Sequence, residues 1–73
     1  MTNRSMEIYE FIISYIKENG YAPTYREIGK SVGLVVSTVI THIDRLEDEG
    51  VIKIKRGSPR AINVVGYEFM KVG

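Results

Sequence analysis

The sequence predicts a small α+β domain of three helices followed by a two-stranded antiparallel β-hairpin. Apolar residues recur at three- and four-residue intervals as far as Leu46, the spacing of helices with one buried face. After Gly50 the spacing changes to two, as in strands that bury alternate residues. Gly20, Pro23, Gly33, Gly50 and Pro59 stand at the boundaries these patterns imply. With 73 residues the chain is near the smallest size that holds a core unaided. It is expected to divide into one domain over 1–65 and a short C-terminal tail over 66–73.

Thr2 or Ser5 can cap a first helix running to about Glu18 and ended by Asn19-Gly20. Ile8, Ile12 and Ile16 form its buried stripe, widened by Tyr9, Ile13 and Met6. Phe11 and Tyr15 carry the apolar surface further round, so they are either aromatic edges of the core or a surface covered by the tail or a second subunit. Tyr21-Ala22-Pro23 is extended, because Pro23 disfavours the α region at Ala22, and it has the composition of a very short edge strand.

Thr24 and Glu27 form a capping box that starts the second helix, with Ile28 and Val32 inward, Gly33 as the stop and Leu34 as the apolar contact of that stop. Gly29 lies inside this helix at a cost of about 1 kcal/mol against Ala, which is offset if the next helix approaches closely there. Ser37 is expected to cap the third helix, whose buried stripe is Val39, Ile43 and Leu46 and whose end is Gly50. Val51–Lys55 and Ala61–Val65 then alternate, with Ile52, Ile54, Ile62 and Val64 on one face and a Gly-Ser-Pro turn over 56–60. Helix, helix-turn-helix and hairpin, in that order, make a winged helix-turn-helix with residues 56–60 as the wing tip.

These residues carry a resemblance over 2–65. ENGYAPTYREIGKSVGL, HIDRLEDEGVIKI and SPRAINVV together resemble the N-terminal DNA-binding domain of the LexA SOS repressors. The resemblance implies a winged helix that reads double-stranded DNA in the major groove. Aligned from the His-x-x-x-Leu end, the family's base-reading positions fall on Ser37, Thr38, Ile40 and Thr41. The chain departs from the family pattern in being one residue shorter between Leu34 and His42, which alters the register of the turn. The family's self-cleaving serine–lysine peptidase domain, which supplies its dimer contacts, has no counterpart in these residues, so autoproteolysis is not assigned and no catalysis is expected.

Side-chain chemistry leads to the same surface. If Val39, Ile43 and Leu46 face inward, a step of about 100° per residue turns Ser37, Thr38, Thr41, Asp44 and Arg45 outward, with Ile40 and His42 on the flanks. Short hydroxyls suit base edges, Ile40 suits a thymine methyl, and Arg45 reaches a base or a phosphate. Thr24, Tyr25, Arg26 and Lys30 at the second helix can meet one phosphate strand, and Lys53, Lys55, Arg56 and Arg60 the other or the minor groove. The net charge of +1 is unremarkable, but its distribution is not: Val51–Val65 holds four cations and no acid, whereas the acids Asp44, Glu47, Asp48 and Glu49 cluster just before.

The chain has no cysteine and one histidine, so no cofactor or metal is expected, and its apolar runs are too short for a membrane span. The resulting expectation is a cytoplasmic, nucleoid-associated regulator, a repressor, on a palindromic operator. A weak homodimer through Phe11, Tyr15 and the tail is expected with it. The alternative is a protein–protein interaction module on the same scaffold, since fold alone does not fix function.

Overall fold

The computed structural model describes residues 2–66, in the order α1 (Asn3–Asn19), α2 (Tyr25–Val32), α3 (Val36–Asp48), β1 (Ile52–Ile54) and β2 (Ile62–Val64). From residue 67 onward the expected tail lies outside the described residues. The architecture is the winged helix-turn-helix: three packed helices and an antiparallel hairpin with Ile52 opposite Val64, Lys53 opposite Asn63 and Ile54 opposite Ile62.

Local chemistry accounts for most boundaries. Thr2 caps α1 by accepting from the Ser5 N–H, and Gly20, at φ 79°, ends it in the left-handed region that favours glycine. Both bonds of the capping box form: the Glu27 N–H donates to Thr24 Oγ1 (3.2 Å) and the Thr24 N–H to Glu27 Oε1 (2.8 Å). Ile8, Ile12, Ile28, Ile43, Leu46 and Ile52, all essentially inaccessible, draw one core from every element except β2, which closes it with Ile62 and Val64. Arg4 ties α1 to α2 by donating to the Val32 carbonyl (2.9 Å) at the C-terminal end of that helix.

The structure differs from the sequence expectations at several points. Ser37 does not cap α3; Val35 is the N-cap and no side chain caps the helix. The link from Val32 to Val36 is only Gly33-Leu34-Val35, held by the Leu34 N–H on the Gly29 carbonyl and by the Thr38 and Val39 N–H groups on the Val35 carbonyl. The backbone thus closes the first turn before a hydroxyl at 37 can take that role, and Ser37 is left exposed. Ser5 is not the cap of α1 but is buried, bonded to Thr2 Oγ1 and to His42 Nδ1, each at 2.9 Å. Met6 is exposed rather than part of the α1 stripe.

No strand forms at Tyr21-Ala22-Pro23. The Ala22 carbonyl accepts instead from Arg60 Nη1 (2.9 Å), so a side chain satisfies the group that an edge strand would have paired. Gly29 faces an obstacle nearer than the next helix. A Cβ there would stand 2.5 Å from the Leu34 carbonyl oxygen, against 3.6 Å from Val39 Cγ2, so the turn's own backbone makes the close approach.

Candidate nucleic-acid interface

The geometry of α3 sorts the expected base-reading residues. Ser37, Ile40 and Thr41 are exposed along its N-terminal half, whereas Thr38 is half-buried on the side where His42 meets Ser5 of α1. Thr41 Oγ1 donates to the Ser37 carbonyl (3.2 Å), which turns its hydroxyl proton back onto the helix. Arg45 is exposed one turn further on, toward the start of α1, where it shares a depression with Thr2, Ser5, Asp48 and Glu49.

Exposed cations stand on α2 beside the start of α3 and on the hairpin. Arg26 and Lys30, four apart and exposed on α2, border the depression that runs past Leu34 to Val35 and Val36. Lys53, Lys55 and Arg56 are exposed on the hairpin, Lys53 on the strand face opposite Ile52 and Ile54. Tyr25 lies between these groups. Burial, together with Asp44 and Glu47, pushes its hydroxyl pKa up against the opposing influence of Arg56, so at neutral pH it remains a protonated donor. Thr24 is less available than its sequence position suggests, because its N–H and a lone pair of its hydroxyl are engaged with Glu27.

Arg60 departs from the expected set of wing cations. Its guanidinium turns under the hairpin: Nη1 donates to Glu27 Oε1 (2.8 Å) and to the Ala22 carbonyl, and the group stacks 4.5 Å from the centre of the Tyr21 ring. Tyr15, one of the residues expected to serve a dimer, joins the same cluster by donating its hydroxyl to Glu27 Oε2 (3.1 Å). The Glu27 carboxyl is lowered to about 2, first by the Thr24 backbone N–H and then by Arg60. A half-buried arginine paired in this way ties the hairpin to the helices.

Part of the acidic run resolves in the same sense, while Asp44 stays exposed one turn beyond Ile40. Glu47 accepts from the Ile54 N–H (3.4 Å), fastening β1 to α3, and Asp48 and Glu49 lie at the far end of the helix. Val35 and Val36, which the sequence reading leaves inside the turn, are exposed at the start of α3 and belong to the candidate surface. The signal that could have revealed them was the shortened turn, which brings the helix start forward onto them. Among the described residues no group of three or more side chains could hold a metal ion, and no helix is long and apolar enough to cross a membrane.

A family model described as the LexA DNA binding domain matches residues 1–61. The chain is 48% identical over 69 residues to the LexA repressor of Listeria welshimeri, an alignment that covers 93% of this chain and 34% of the relative. It is 42% identical over 73 residues to the LexA repressor of Bacillus cytotoxicus (99% and 35% covered) and 47% identical over 69 residues to that of Staphylococcus haemolyticus (93% and 33%). The chain spans about a third of the length of the curated relatives it matches.

Proposed function

Because the chain belongs to the LexA DNA-binding-domain family, we propose that it binds double-stranded DNA sequence-specifically as the operator-reading part of a transcriptional repressor. The N-terminal half of α3 enters the major groove, where Ser37, Thr38, Ile40 and Thr41 meet base edges and Arg45 reaches a base or phosphate beyond them. Tyr25, Arg26, Lys30 and the backbone N–H groups at the start of α2 meet one phosphate strand, and Lys53, Lys55 and Arg56 the other or the adjacent minor groove. One observation supports this most directly: from Gly33 to Ile43 the chain carries no Asp, Glu, Lys or Arg, while Arg26 and Lys30 border its start from α2 and further exposed cations stand on the hairpin. A neutral reading edge between cationic supports suits a duplex, which presents base edges between two rows of phosphate. A domain this small covers little DNA, so two copies on inverted half-sites are the working assembly.

Selection from random duplexes tests the reading. A consensus of two inverted half-sites is expected, and a single unrepeated element would refute the paired assembly. Ser37→Ala, exposed and not a cap, should change stability by less than about 0.5 kcal/mol and lose about 1–3 kcal/mol of site discrimination. Arg56→Ala should weaken cognate and unrelated DNA alike and reduce the slope of log affinity against log salt by about 1. A chain that barely binds duplex at low salt would instead be an interaction module.

A further inference from the structure

The exposed edge of α3 beside α2 is aliphatic. Val35, Val36 and Ile40 are 68%, 36% and 37% exposed, and Val36 and Ile40 stand four apart, hence on one face of the helix. Thr41 adds a γ-methyl, its hydroxyl proton being tied to Ser37. The side chains that read bases through paired hydrogen bonds, Arg, Lys, Asn, Gln, Asp and Glu, are all missing from Gly33 to Ile43. Arg26 and Lys30 border the same surface, so its occupant is apolar at the centre and anionic at the rim. A major groove flanked by phosphates meets that description wherever it shows thymine, whose C5-methyl is the apolar group on that edge.

Resting on the function proposed above, we infer that Val36, Ile40 and Thr41 select the half-site by contact with thymine C5-methyl groups, with Val35 at the groove edge. Val36 and Ile40, with Cβ atoms about 5–6 Å apart on the helix, bridge neighbouring base pairs stacked about 3.4 Å apart. Specificity here comes from fitting methyl groups and not from paired hydrogen bonds.

The test replaces each thymine of the selected half-site in turn by deoxyuridine, which removes the methyl and keeps the pairing. Wild type should lose roughly fourfold in affinity at each contacted position, up to three in the half-site, the equivalent of one buried methyl. That loss should disappear in Val36→Ala, Ile40→Ala or Thr41→Ser, each at its own position, while melting curves confirm that the variants remain folded. Equal affinity for thymine and uracil at every position, in a chain that still selects a site, overturns the inference and leaves the proposed function standing. So does a uracil penalty that persists unchanged in all three variants, because it would report DNA shape. If no sequence is selected at all, the proposed function fails and the methyl contact fails with it.

Discussion

Gly29→Ala is expected to destabilise the domain by about 1–3 kcal/mol, although alanine is the better helix former by about 1 kcal/mol. The added Cβ would stand 2.5 Å from the Leu34 carbonyl oxygen, which belongs to the turn's backbone and cannot rotate away as a side chain would. The turn must therefore shift, and with it Val35 and the start of α3. A melting temperature lower by roughly 4–8 °C per kcal/mol should accompany the change, together with weaker site discrimination. Val39→Ala alone costs about 1–3 kcal/mol as a large-to-small change in the core. Comparing the two identifies the obstacle. If the turn is what blocks a side chain at 29, Val39→Ala gives little relief and the double variant is less stable than either single one. A double variant as stable as Val39→Ala alone would mean that α3 is the obstacle.

The tie between Glu27 and Arg60 should show itself in both pH and salt. The carboxyl lies at about 2 in the folded chain against an ordinary 4.5, so its contribution to stability is complete above pH 4.5 and is lost as pH falls toward 2. Wild type should lose stability across that window, and Glu27→Gln should flatten this part of the acid-unfolding curve, because glutamine keeps the capping box but has no charge to titrate. An unchanged acid limb in Glu27→Gln would mean that other carboxyls carry it. For DNA binding, Arg60→Gln should lower affinity through a loosened hairpin yet leave the salt slope within half a unit of wild type, in contrast to the loss of about one unit for Arg56→Ala. Equal slope losses in the two variants would return Arg60 to the phosphate contacts.

Much of this domain is legible in the sequence because it is encoded by residues within four positions of each other. The Ile8–Ile12–Ile16 stripe, the Thr24–Glu27 box, the Gly33 stop, the Val39–Ile43–Leu46 stripe and the alternation of the two strands are all of this kind, and each forms in the structure. The family match spans residues 1–61, which hold these short-range pieces up to the start of the second strand.

What only the tertiary structure decided involves partners brought together by packing. Ser37 has the right chemistry for a cap, but α3 must begin at Val36 for the three-residue link to bring its stripe onto the core, and backbone bonds from Val35 close the turn first. Arg60 carries its charge in the sequence but not its direction, which is set by a carboxylate 33 residues earlier that folding places beneath the hairpin. The aliphatic edge of α3 is only partly visible in the one-dimensional pattern. Helical spacing already places Ile40 on the flank, but Val35 and Val36 fall inside the expected turn, and only the filled interior shows that they are left over for the surface.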